Sequence, residues 1–319
     1  MHRIGAVVMI SAVGCLEFRL DPIDPEGEPA REVLVEEAFL QSPLPRVDLL
    51  FVIDDTASMA QEQSALAADF EALADQLDEA AIAWQVGAVT TSMEGEAVGW
   101  LQGSPWILTP DTPDREAAFA AMVQPGASGN AQEAGLAVAG EALALAGPGG
   151  PNAGFRRPDA VLHVVFVSDA DDQSDPWLGA EPVQAFLDLL EGEIARTGLP
   201  ARASAVVGLP PSGCTSATGT AQPALRYAEV VAATGGAQVS ICETDFAPLL
   251  AELGAASITY QRRFVLRERP EPDSVRIASG GAEIVGGWSL EPAIPAIVFD
   301  VAPEPGTILD VSYLVSNEG

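Results

Sequence analysis

Continuous apolar runs alternate with amphipathic segments through the middle of the chain. The run VDLLFVID (47–54) is apolar apart from Asp48 and closes on Asp54, as expected of a strand buried on both faces of a parallel sheet. The segment AVLHVVFVSD (160–169) has the same pattern and closes on Asp169. Residues 58–78 carry apolar positions at helical spacing. Repeated alternation of this kind predicts a doubly wound α/β fold, with a mostly parallel sheet flanked by helices.

The pattern divides the chain into four predicted parts. The α/β domain extends over 47–257. Residues 258–319 contain short alternating runs between Pro and Gly turns, which predicts a small antiparallel β domain. Residues 16–46 are rich in Pro and acid and read as a tether, with a strand or short helix left open around 33–40. Residues 1–15 read as a signal peptide, because their apolar run is too short to span a bilayer.

The end of this leader, Ala12-Val13-Gly14-Cys15, resembles the lipobox of bacterial lipoproteins. That resemblance implies cleavage before Cys15 and lipidation of its thiol, and so a membrane anchor at the N-terminus. We therefore expect a lipid-anchored protein of the cell envelope, in the outer membrane, facing the periplasm or on the surface. The alternative is an ordinary secretory leader with an incidental cysteine.

The net charge of the chain limits the classes of partner that it is expected to bind. The net charge is -31, and all 15 basic residues are arginine. Such a surface repels nucleic acid and suits divalent cations or basic partners, although acidity can also serve solubility alone. The sequence holds two histidines, no G-x-S-x-G elbow and no phosphate-binding Gly-Lys-Ser/Thr loop. We therefore do not expect an enzyme.

Hard oxygen donors follow the first apolar strand. Asp54, Thr56 and Ser58 stand at alternate positions directly after it. Carboxylate and hydroxyl oxygens favour Mg²⁺, Mn²⁺ or Ca²⁺ over zinc. Because strands of a parallel sheet end at one edge, Asp169 is expected at the same edge, where ligands bind in such sheets.

This loop resembles the metal-ion-dependent adhesion site of von Willebrand factor A domains, whose motif is D-x-S-x-S. The resemblance covers about residues 47–256 and places Asp169 in the third loop of the site. The family's second-loop threonine is missing. Ser128 or Asn130 can supply an oxygen there, with Glu133 as an acidic alternative.

The whole layout also resembles a group of bacterial lipoproteins with a von Willebrand factor A domain and a small β domain. The shared features are SDADDQS (168–174), Arg226-Tyr227, 234–236 and Cys242. In the acidic loop, Asp171, Asp172 and Ser174 form a possible second cation site; the alternative is a solvated loop. If Cys15 is lipidated, Cys214 and Cys242 remain as an even pair, which predicts one disulfide in an oxidising compartment, with two free thiols as the alternative.

The resemblance implies a binding protein. In that family the metal keeps one position open for a carboxylate from a protein partner. We therefore expect a lipid-anchored module that binds a protein ligand through a divalent cation. The alternative is a structural envelope lipoprotein with a degenerate, metal-free site.

Overall fold

A computed structural model describes residues 31–129, 131–217, 219–291 and 294–317. The predicted signal peptide with Cys15, and residues 16–30 of the predicted tether, lie outside this part of the chain. The strands are β1 (Arg31–Leu40), β2 (Arg46–Ile53), β3 (Ala83–Thr90), β4 (Val161–Ser168), β5 (Ala201–Val207), β6 (Cys214–Thr215), β7 (Thr220–Ala221), β8 (Gln238–Ser240), β9 (Arg263–Val265), β10 (Arg276–Ser279), β11 (Ala282–Glu283), β12 (Trp288–Glu291), β13 (Ala296–Phe299) and β14 (Ile308–Asn317).

Helices separate the strands of the central region. They are α1 (Ala60–Ala68), α2 (Phe70–Glu79), α3 (Arg115–Val123), α4 (Gly135–Ala144), α5 (Asp175–Leu178), α6 (Pro182–Thr197), α7 (Leu225–Thr234) and α8 (Ala247–Ser257). Short 3₁₀ turns cover Ala57–Met59 and Pro272–Ser274. The helix predicted over 58–78 is broken at Asp69, whose backbone leaves the helical region, so it forms α1 and α2.

The central sheet has the order β3-β2-β4-β5-β8, and all its neighbouring strands are parallel. Alternate side chains of β2 point to opposite faces of the sheet and pack in two different hydrophobic cores. Phe51 packs in the core that contains helices α1, α2, α3 and α8, whereas Val52 packs in the core that contains α4, α6 and α7. Both faces are thus covered by helices, and the predicted doubly wound α/β fold is confirmed.

The remaining strands form an antiparallel β region. One sheet has the order β1-β14-β10-β11, and a second has the order β12-β13-β9. A shared core joins them and includes Phe264, Ile297 and Tyr313. Trp288 is only partly buried against this core.

The second half of the predicted tether contains a strand, which is one of the two alternatives left open around 33–40. Residues 31–40 form β1, which pairs with β14 over its whole length, and β2 begins at Arg46. The cause is an alternating pattern in the segment, since Val35 is buried and Phe39 packs on Phe264. The β region therefore takes strands from both sides of the α/β domain. Within the described ranges, no helix is long and apolar enough to cross a membrane.

Candidate metal-binding site at the carboxyl edge of the central sheet

Asp54 lies at the end of β2 and is fully buried. Its Oδ1 accepts hydrogen bonds from Thr56 N at 2.9 Å and Thr56 Oγ1 at 2.6 Å. Its Oδ2 accepts a hydrogen bond from Ser168 Oγ, at the end of β4, at 2.7 Å. These donors fix the carboxylate at the point where the two central strands end.

Thr56 and Ser58 bring two hydroxyls beside this carboxylate. Thr56 has an extended backbone and directly precedes the 3₁₀ turn that contains Ser58. This geometry brings the two side chains together, with 3.2 Å between Thr56 Oγ1 and Ser58 Oγ. The Gln63 side chain donates to Asp54 O at 2.8 Å and to Gly126 O at 2.9 Å. This amide joins the first predicted loop to the second.

Asp169 follows β4 and comes to the same edge, as the sequence predicts. Burial raises the pKa of its carboxyl, and the charges of Asp54 and Glu62 raise it further, while a hydrogen bond from Ser58 lowers it. Its carbonyl oxygen accepts a hydrogen bond from Gln222 N at 2.7 Å. Asp54, Thr56, Ser58 and Asp169 therefore form one connected group.

Glu133 supplies the second loop with a carboxylate. Its side chain is 1% exposed. Thr91 Oγ1 donates a hydrogen bond to Oε2, whereas Oε1 is buried and accepts no hydrogen bond from any described residue. Burial raises the pKa of Glu133 to about 8, and the negative charges of Asp54, Asp55 and Asp169 add to the shift. The residue named only as an acidic alternative is therefore the one that the fold buries among the site's carboxylates.

Of the two residues that the sequence favours for the second loop, Ser128 and Asn130, the structure describes only Ser128. Ser128 is exposed and, with Asp55 and Gly129, lines an open depression with a volume of about 680 Å³. Asn130 lies outside the described residues. The sequence thus identifies the loop, but the structure places Glu133 deeper in it than Ser128.

Asp55 is a site residue that the sequence motif does not include. Its Oδ1 is buried and has no hydrogen-bond partner among the residues described, and burial, followed by the charge of Asp54, raises its pKa. Gly129 N donates to Asp55 O at 2.8 Å. A Cβ atom at Gly129 would overlap the Asp55 carboxylate, so glycine leaves this carboxylate its space. The adjacent Asp-Asp pair in the sequence was the available signal.

The acidic loop after Asp169 is hydrogen-bonded to the first turn of α4. Asp172 Oδ1 accepts hydrogen bonds from Leu136 N at 3.0 Å and Ser174 Oγ at 2.7 Å, and its Oδ2 accepts one from Ser174 N at 2.9 Å. Ser174 Oγ in turn accepts a hydrogen bond from Ala137 N at 3.0 Å. Because these amides belong to the first turn of α4, Asp172 and Ser174 act as its N-terminal cap.

The same loop contacts the first turn of α7. Asp171 Oδ1 accepts a hydrogen bond from Arg226 N at 3.0 Å, and the Arg226 guanidinium pairs with both carboxylate oxygens of Asp175. These contacts give Asp171, Asp175 and Arg226 a structural role at the start of α7. The possible second cation site at Asp171, Asp172 and Ser174 thus consists of side chains already engaged with backbone amides.

The predicted disulfide between Cys214 and Cys242 is present. It joins β6 to the segment after β8. Cys214 pairs with Ala221 of β7, and the next residue, Gln222, donates its backbone amide to the carbonyl oxygen of Asp169. The disulfide therefore braces the backbone behind the third site loop.

The donor set suits a hard divalent cation. Over the described ranges, no group of three or more histidine, cysteine or carboxylate side chains forms a ready metal centre. The site instead combines the hydroxyls of Thr56 and Ser58 with carboxylates, which are ligands of Mg²⁺ and Ca²⁺. Burial raises the pKa values of Asp55, Glu133 and Asp169, and repulsion from neighbouring carboxylates adds to the shift; a bound cation would offset both.

No protein-family model matches the chain, and no curated protein matches it. Solved structures with a similar fold include a von Willebrand factor type A protein from Catenulispora acidiphila, with 14% identity, a TM-score of 0.41 and coverage of 92% of this chain and 67% of that one. Proximal thread matrix protein 1 from the mussel byssus has 14% identity and a TM-score of 0.41, with 72% and 49% covered. The pilus adhesin SpaC from Lactobacillus rhamnosus GG has 9% identity and a TM-score of 0.37, with 90% and 41% covered. The chain thus spans half or less of the last two structures. At these low scores, the α/β fold rests on the strand order described above.

Proposed function

We propose that this protein is a binding module of the von Willebrand factor A type that holds a partner through a divalent cation. The observation that carries the proposal is the buried Oε1 of Glu133, a carboxylate oxygen that no described residue satisfies, beside Asp54 and Asp169. Leaving a buried carboxylate oxygen without a donor or cation is costly. A bound Mg²⁺, Mn²⁺ or Ca²⁺ would supply the missing positive charge.

The cation would lie among oxygens from three loops. Asp54 and Asp169 would provide charge, and Glu133 would stand in place of the family's threonine. Thr56 and Ser58 would provide hydroxyls; Ser58 is exposed, so the site opens to solvent. A carboxylate from a protein partner would take a coordination position on that open side.

The proposed location is the cell envelope, with a lipid anchor at Cys15. Its support is the lipobox-like sequence and the Cys214–Cys242 disulfide, since disulfides persist in oxidising compartments. We further propose that the protein is not an enzyme. His163, the histidine inside the α/β domain, is fully buried and away from solvent, which supports that view.

Thermal unfolding tests the proposal. The protein is heated in EDTA and in Mg²⁺, Mn²⁺ or Ca²⁺, alongside Asp54→Ala, Asp169→Ala and the exposed control Asp188→Ala. A ligand at a hundredfold excess over its Kd stabilises the native state by ~2.7 kcal/mol. We expect one of the cations to raise the melting temperature of wild type and of the control, but of neither site variant.

If no cation shifts the melting temperature of wild type, the metal-dependent mechanism is wrong. The alternative, a structural lipoprotein with a metal-free site, would then replace it.

A further inference from the structure

The two ends of the described chain lie side by side in one sheet. β1 and β14 are antiparallel and pair from Arg31 opposite Asn317 to Leu40 opposite Ile308. Hydrogen bonds in an antiparallel pair are perpendicular to the strands. Traction on Arg31 and Asn317 therefore opens the pairing from one end, one residue pair after another.

The α/β domain is attached at the opposite end of β1. From Leu40 the chain runs through residues 41–45 into β2. This connection is held to the returning chain, because Leu44 N donates to Thr259 O at 2.6 Å and the Gln41 side chain donates to Gln261 O at 2.8 Å. Traction that enters at Arg31 and leaves through the α/β domain therefore runs along β1 and reaches the first residue of β2.

Inside the α/β domain, β2 is held by a paired strand on each side. It lies between β3 and β4, with parallel pairing from Arg46↔Ala83 to Ile53↔Thr90 on one side and from Val47↔Val161 on the other. If β2 is pulled from its first residue and β3 from its last, the strands must slide past each other. All pairs then resist together. The proposed metal site lies at the carboxyl edge, which is where a bound partner would pull.

We propose that a further function of this chain is to carry mechanical load between its N-terminal end and the carboxyl edge of the central sheet. Under that load the strands are sheared, whereas load between the two chain termini peels β1 from β14. The proposal rests on the proposed function only for the positions of anchor and partner. The asymmetry itself follows from strand register.

Single-molecule force clamping tests the asymmetry in the full chain, in EDTA and with Cys15→Ser. One geometry places handles at the two termini. The other places them at the N-terminus and at the exposed Glu96→Cys, six residues after β3. At equal force we expect the first unfolding event to take at least about tenfold longer in the second geometry, a barrier difference of about 1.4 kcal/mol.

The terminal geometry has a second signature. Separating the two ten-residue strands moves their ends apart by about 70 Å at ~3.5 Å per residue, as a first step before the rest unfolds. A disulfide between Glu32→Cys and Ser316→Cys, which face each other across the pair, should abolish that step. Equal lifetimes in the two geometries, or a first step that survives the cross-link, would overturn the proposal. Because no cation or partner is present, either result is independent of metal binding.

Discussion

Thr91 donates a hydrogen bond to Glu133, and both residues are buried at the carboxyl edge of the sheet. Thr91 directly follows β3, and its carbonyl oxygen also accepts a hydrogen bond from Ala134 N at 3.0 Å. The end of β3 thus positions the entry to α4 and the carboxylate that precedes it. Thr91 satisfies one oxygen of Glu133 and leaves the other for the proposed cation.

Replacing Glu133 by glutamine should stabilise the cation-free protein at high pH. The pKa of Glu133 is raised to about 8 in the folded state, from 4.5 as an ordinary carboxyl. The folded state therefore disfavours the carboxylate, and this group's penalty grows as pH rises from about 4.5 to 8. In EDTA at pH 8, Glu133→Gln should have a free energy of unfolding higher by on the order of 1–3 kcal/mol.

Urea unfolding, followed by tryptophan fluorescence, measures this difference. At pH 4.5 the two proteins should be nearly equal. In saturating cation at pH 8 the order should reverse, because the variant lacks a ligand charge. A variant that is less stable than wild type in EDTA, with an unchanged response to cations, would contradict the role given to Glu133.

Asp172 should behave as a helix cap. Removing its carboxylate in Asp172→Ala leaves the amide of Leu136 without its acceptor, so the free energy of unfolding should fall by about 1–2 kcal/mol. The increase in melting temperature caused by a cation should remain. Asp175→Ala is the matched control, since its pair with Arg226 is exposed to solvent and contributes little to stability. Loss of the cation response without loss of stability would instead make Asp172 a ligand.

Loss of the disulfide should weaken both the fold and the site. Its cysteines are 28 residues apart, and a loop of that length contributes about 3–4 kcal/mol when cross-linked. The double variant Cys214→Ser with Cys242→Ser should melt at lower temperature and bind cation less tightly, because Gln222 then holds Asp169 less firmly. Isothermal titration below the melting temperature separates the two effects, and unchanged affinity would show that the brace does not reach the site.

His163 should make the protein sensitive to acid. Ser257 Oγ donates to Leu253 O, so it accepts from His163 Nδ1, while Nε2 accepts from Ser204 Oγ; both contacts to the ring are 2.7 Å. Burial, with a smaller contribution from the charge of Arg202, lowers the pKa of His163 to about 3. The neutral ring is favoured in the folded state, so its contribution is complete above pH ~6.5 and is lost as pH falls towards 3.

Comparison with His163→Gln isolates this contribution. Between about pH 6 and 4, wild type should lose ~1.4 kcal/mol of unfolding free energy per pH unit more than the variant. Carboxylates titrate in both proteins, so they cancel in the difference. Parallel pH profiles would show that His163 is not the group responsible.

Periodicity alone predicted the α/β fold. Largely apolar runs such as 47–54 and 160–169 are expected in strands that are buried on both faces of a parallel sheet, and both end in aspartate. Because all parallel strands end at one edge, the meeting of Asp54 and Asp169 followed from the pattern. The two cysteines left over after the leader also predicted their pairing.

Tertiary structure decided the rest, because it depends on contacts between distant segments. The alternation around Val35 is too short to show that β1 pairs with β14, more than two hundred residues away. A loop sequence with several oxygen-bearing side chains does not reveal that Glu133 is buried while Ser128 is exposed. Likewise, Asp172 looks like a cation ligand in sequence, and only the approach of α4 turns it into a cap. Local patterns specify which elements form, whereas the packing of those elements decides which polar side chains lose water and what replaces it.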